Sequence, residues 1–145
     1  IPIDRLRAFR KSYDEMDIAP DVRSKIRVST QRPVYVTNDE SELSSIVEQA
    51  RWNMRVTLSL RQGLQRVEQG RATAVPFDKE PTDQELLDNY FVVGTPKQCI
   101  AKIEAIREAM GIDHFNARCW FGDLPHDKVL RSMELLAKEV MPAFK

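Results

Sequence analysis

What this chain has little of narrows its class. Neither charge is in excess: 22 basic and 22 acidic side chains among 145 residues leave no net field with which to hold nucleic acid by phosphate neutralisation. No apolar run approaches the roughly 18 residues of a membrane span. No signal peptide is visible, because the first twenty residues already read as an amphipathic helix carrying charges throughout. The expected setting is therefore cytoplasmic, with no membrane and no nucleic acid as partner. There are only two cysteines, Cys99 and Cys119. They lack CxxC spacing and nearby histidine pairs, so they read as reduced structural thiols, and no metal site is expected. GxGxxG, P-loop, GxSxG and HExxH motifs are missing, which leaves nucleotide-fold, hydrolase and zinc-protease readings without support. Residue 1 is not Met. Ile1-Pro2-Ile3-Asp4 leads straight into a helical pattern, and the chain reads as a portion of something longer.

What is present is an ordinary globular composition, 42% hydrophobic and 30% charged, enough for one domain with its own core. Ile3, Leu6, Phe9 and Tyr13 recur at helical spacing, and Pro20 is expected to end that helix. From Ile26 to Val36 the period changes to two, with Ile26, Val28, Thr30, Arg32, Val34 and Val36 on one face. This is strand-like, although Pro33 lacks an N–H and fits a central strand poorly.

Asn38 offers an N-cap for a long helix carrying Leu43, Ile46, Val47, Ala50 and Met54 on one face. Its pattern is expected to continue through Leu58, Leu64 and Val67, closing at Gly70. The stretch from Gly70 to Pro81 reads as loop. Thr82-Asp83-Gln84-Glu85 has capping-box spacing and predicts a short helix to about Asn89.

After the brief apolar stretch Phe91-Val92-Val93, Thr95 caps a further helix. Pro96 takes its first position, Gln98 reaches back to the cap, and Gly111 is the C-terminal cap. His114 to Phe121 alternates as a strand, and Pro125 opens a final helix ending near Pro142. Strands alternating with long helices predict a parallel sheet covered by helices. No internal repeat or low-complexity tract interrupts the pattern.

Several of these segments, in order, are similar to the luciferase-like, flavin-dependent monooxygenase family. Val92-Val93-Gly94-Thr95-Pro96 resembles its "GTP" segment. Asp113-His114-Phe115 and Phe121 to Ser132 resemble its last strand and helix, Glu139-Val140-Met141-Pro142 its terminal "E-V-M-P", and Arg32 to Val36 its "R-x-v-y-V" strand. The likeness is dense over Phe91–Phe144 and thin elsewhere.

The resemblance implies an α/β fold: residues 1–145 would form the C-terminal portion, about the last two βα units, of a (β/α)8 TIM barrel. An insertion would lie around residues 70–92, and the N-terminal part would fall outside this chain. Ile26–Val36 and His114–Phe121 would be the seventh and eighth strands. It also implies reduced FMN as cofactor, or the deazaflavin F420 in one branch, with O2 and a small organic substrate, in a homo-oligomer. The expected activity is that of a flavin-dependent oxidoreductase or monooxygenase, absent from the chain taken alone. The rival expectation is a non-catalytic or split-barrel module acting through self-association or a partner chain.

Barrel enzymes place their chemistry at the C-terminal ends of strands. Arg118 and Trp120 are therefore the candidate ligand-lining residues, Arg118 for an anionic group and Trp120 as a stacking wall, with packed-core or salt-bridge roles as the plainer alternative. Arg32 is a third candidate, better suited to a structural ion pair. His114, at a strand start, and His126, at a helix start, carry less. The helix start at Gly94-Thr95 could bind an anion, but simple capping is favoured.

Overall fold

A computed structural model describes residues 2–64 and 66–144. Helix α1 (Ile3–Asp14) is followed by a four-residue helix α2 (Pro20–Arg23). Pro20 thus opens a helix instead of ending one: α1 stops six residues earlier, and proline suits a first helical position, where no N–H is needed. Strand β1 (Ser29–Val36) leads through a 3₁₀ turn, Glu40–Glu42, into the long helix α3 (Leu43–Arg61). The cap is Asp39, not Asn38; its carboxylate accepts the Ser41 N–H at 2.9 Å.

Helix α3 also ends earlier than its apolar spacing predicts. The chain turns at Gly63, and Val67 pairs instead in a small hairpin of β2 (Val67–Glu68) and β3 (Arg71–Ala72). Its two-residue turn has φ of +49° at Gln69 and +77° at Gly70. Both lie in the left-handed region that a primed hairpin turn demands, which is why a glycine stands there.

Helices α4 (Asp83–Asn89) and α5 (Pro96–Met110) each begin with a complete capping box, Thr82 with Glu85 and Thr95 with Gln98. Gly111 closes α5 in the left-handed conformation. Between them β4 (Val92–Gly94) makes a strand of what the sequence marks only as an apolar stretch. Strand β5 (His114–Arg118) is shorter than its alternation predicts, and α6 (His126–Leu135) continues through a π turn and a 3₁₀ turn to Phe144.

The three longer-range strands form a parallel sheet in the order β4-β1-β5. Parallel strands need crossover connections, here α3–α4 and α5, and these put helices against the sheet. Val34, Val36 and Val92 pack with Leu6 of α1 and with Cys99, Ile103, Ile106 and Met110 of α5. Tyr35, Val93 and Phe91 pack with Ile46, Val47 and Ala50 of α3, Leu86 of α4, and Phe121 and Val129. The pattern explains why β1 reads apolar at both parities near its end: helices cover both of its faces there.

The α/β class and the parallel pairing of β1 with β5 match the sequence expectation. The strand order adds a feature it did not contain. In a sequential barrel β4 would separate β1 from β5, whereas here β1 lies between them. Pairing is staggered: β4 meets only Val34–Val36, and β5 only Ser29–Pro33.

Candidate functional site

Parallel register decides which side chains share a face. Pro33 pairs with Arg118, Gln31 with Asn116, and Arg32 with Ala117. Gln31, Pro33 and Arg118 therefore stand on one face and Arg32 on the other. The two arginines singled out in the sequence do not converge.

Arg32 is 7% exposed and turned towards the α1–α5 side. It borders a cavity of about 60 Å³ with Ile3, Ile106 and Lys102, room for a water molecule but not for an organic ligand. Burial lowers its guanidinium from the ordinary value. The Lys102 ammonium is lowered for the same reason, while donating to the carbonyls of Leu87 and Val93 at 3.2 Å each. Lys102 thus ties α5 to α4 and β4.

Trp120 lies two residues beyond β5, is 65% exposed, and stands outside the lining of the groove. Trp52, on α3, is also exposed. His114 and His126 are exposed at the starts of β5 and α6. At Gly94-Thr95 the helix start is closed by its own capping box: the Gln98 side chain accepts the Thr95 N–H at 2.8 Å. That arrangement is the capping expected from the sequence.

Arg118 alone of the three candidates opens into a sizeable space. A groove of about 860 Å³ runs over the Gln31–Pro33–Arg118 face of the sheet. Its roof is one side of α3, where Asn53, Met54, Thr57, Leu58 and Arg61 recur at three- and four-residue intervals. Arg5 of α1 closes one end. Phe77, Lys79, Tyr90 and Phe91 supply the remaining wall. The lining is thus mixed: Pro33, Met54, Leu58, Phe77, Tyr90 and Phe91 supply apolar and aromatic surface, and Arg5, Arg61, Lys79 and Arg118 supply guanidinium and ammonium groups.

The wall formed by residues 77–81 is held by one carboxylate. Glu80 accepts from Arg51 Nη1 at 3.0 Å, from Arg55 Nε and Nη2 at 2.8 Å each, and from the Phe77 N–H at 3.2 Å. Arg51 also donates to the Pro81 carbonyl and to Asp83. Hydrogen bonding by Arg55, with further bonds from Phe77 and Arg51, outweighs the opposing effect of burial and brings the Glu80 carboxyl down to about 2. Sequence reasoning missed this clasp. Its one visible signal is a pair of like charges, Arg51 and Arg55, four apart on a helix face, an unfavourable spacing unless an acid lies between them.

A second cavity, about 310 Å³, lies at the C-terminal end of β1. Its polar groups serve one another. Tyr35 Oη and Thr37 Oγ1 donate to Glu42 at 3.1 and 3.0 Å, and Lys128 and Arg131 pair with the same carboxylate at 3.1 and 3.4 Å. Burial pushes the Glu42 carboxyl up, but the bonds from Lys128, Thr37 and Tyr35 prevail and hold it low. Burial and the bond to Glu42 push the Tyr35 phenol up to about 12. This network joins β1 to α6; the groove is the better candidate for a ligand.

The fold has a precedent. The solved structure of monooxygenase RslO1 from Streptomyces bottropensis aligns with the whole of this chain, with a TM-score of 0.63 and 19% identity. This chain spans 40% of that one. No protein-family model matches the sequence, and no curated protein matches it significantly. At such identity the likeness establishes a shared fold, over two-fifths of the neighbour's length. Among the described residues no cluster of His, Cys, Asp and Glu is arranged to hold a metal ion, and no helix is long and apolar enough to cross a membrane.

Proposed function

We propose that this chain is the C-terminal portion of a (β/α)8 flavin-dependent monooxygenase of the luciferase-like type, and that the groove under α3 is one wall of its ligand pocket. The observation that carries the reading is the coincidence of two independent likenesses. The segments from Val92 to Pro142 resemble that family in order, and the whole chain shares its fold with part of a solved monooxygenase.

The groove's donor set is compatible with a flavin. Phe77, Tyr90 and Phe91 offer apolar and aromatic surface to a flat ring, while Arg61 and Arg118 offer positive charge to an anionic group. When bound, reduced flavin would supply the electrons with which O2 is activated; F420 would instead deliver hydride. The chain's own contribution would be to present Pro33 and Phe91 to the ring and to limit the access of water with Met54 and Leu58 of α3.

Flavin binding tests the proposal. FMN quenching titrations are expected to give affinity weaker than micromolar for the 145-residue chain. Extending the chain by the coding sequence upstream of Ile1 is expected to bring micromolar affinity or better and flavin-dependent O2 consumption. An extended protein that binds neither FMN nor F420 would sink the reading.

A second reading is favoured by one observation, the central position of β1 with helices against both faces of the sheet. In that reading the chain is a self-contained or split module without flavin chemistry, completed by a second copy or another chain. It predicts a folded, flavin-indifferent protein whatever sequence is added.

A further inference from the structure

The groove has a charge imbalance that the chain as a whole lacks. Arg5, Arg61, Lys79 and Arg118 line it, and none has an ion-pair partner among the described residues. Two carboxylates also line it, and only Glu80 is offset by cations. Glu80 is held by Arg51 and Arg55, and Glu85 accepts from the Thr82 N–H and hydroxyl. A chain of 22 acids and 22 bases has thus gathered unpaired positive charge around one groove that also carries aromatic and apolar side chains.

Lys79 adds an independent observation. Its φ is +61°, a left-handed conformation that costs a non-glycine residue of this kind roughly 1 kcal/mol or more. The Glu80 clasp holds the backbone on both sides of it, binding the Phe77 N–H directly and the Pro81 carbonyl through Arg51. A tight turn that served only to connect β3 with α4 would favour glycine or asparagine at such a position. Instead the turn presents an ammonium group to the groove wall.

We infer that the groove binds amphipathic organic anions: an aromatic or otherwise apolar body on Pro33, Met54, Tyr90 and Phe91, with a carboxylate, sulfonate or phosphate among Arg61, Lys79 and Arg118. This rests on the same groove as the flavin reading and deepens it, since the anion could be the flavin phosphate or an acidic group on the substrate.

Four probes separate these sources when titrated against the 145-residue chain by calorimetry or ligand-observed NMR: 2-naphthoate, its neutral analogue 2-naphthylmethanol, FMN and riboflavin. Naphthoate is expected to bind several-fold more tightly than naphthylmethanol, and the preference should shrink with added salt. Arg118→Gln, Arg61→Gln and Lys79→Gln should each weaken naphthoate by roughly twofold to fivefold, the range for exposed ion pairs, and leave naphthylmethanol unchanged. Circular dichroism and the unchanged neutral-ligand affinity guard against mere unfolding.

Naphthoate selectivity with no preference for FMN over riboflavin in the chain or its extended form supports the inference and counts against a flavin phosphate at this groove. Selectivity for both anions supports the inference with either source. Equal affinity for naphthoate and naphthylmethanol, or no binding of either, overturns it, even if FMN binds elsewhere.

Discussion

At the residue scale the most consequential side chain is Glu80. Its carboxyl is about 2 in the folded protein against an ordinary 4.5. The pKa is depressed, so the ionised clasp stabilises the fold at neutral pH. That stabilisation begins to fall as pH drops below about 4.5 and is lost once the group protonates near 2. Glu80→Gln keeps the shape but removes the charge facing two guanidiniums, which should cost about 1.5–3 kcal/mol at pH 7. Urea denaturation should show that loss at pH 7 and a much smaller difference from wild type near pH 2. A constant difference across that range would mean that the charge does not matter. Short-range residue chemistry was legible beforehand: both capping boxes and the Gly111 cap follow from spacing alone. The clasp was not, because its partners are some 25 to 30 positions apart in the chain and meet only after α3 and α4 have packed.

At the element scale, α5 shows how local signals and packing reinforce each other. Thr95 Oγ1 accepts the Gln98 N–H at 3.4 Å and the Gln98 side chain accepts the Thr95 N–H at 2.8 Å, so two donors at the helix start are satisfied without help from the rest of the fold. Thr95→Ala should destabilise the protein by about 1 kcal/mol, and Thr95→Ser by much less. A lowered melting temperature for alanine with near-recovery for serine is the expected pattern. Equal losses would point to packing of the Thr95 methyl instead. α3 teaches the opposite lesson. Its apolar periodicity runs on past Arg61, yet a turn at Gly63 and the Gln69-Gly70 hairpin divert the chain. Periodicity reports which face can be buried, not where the chain stops being helical. The same limit explains β5: alternation runs to Phe121, but pairing with β1 ends at Arg118, leaving Trp120 in solvent.

At the scale of the whole molecule, strand order is the feature least accessible to the sequence, since period and capping carry no information about which edge a strand joins. It also bears most directly on what the chain needs around it. β5 lies at one edge of the sheet, four of its five residues are exposed, and exposed Trp120 follows it. An uncovered parallel edge with unpaired backbone groups is a template for another strand. The chain alone is therefore expected to self-associate. Sedimentation velocity should show weight-average mass rising with concentration, and Asn116→Lys, beside Arg118 on the groove face of this exposed edge strand, should shift the population towards monomer by placing like charge where two edges would meet. Hydrogen exchange supplies the structural check: β5 amides should exchange faster than those of β1 in dilute protein and become protected as the association proceeds. If the chain remains monomeric at all concentrations with β5 amides already protected, the edge is closed within one copy. The self-contained module would then be favoured over a portion of a barrel.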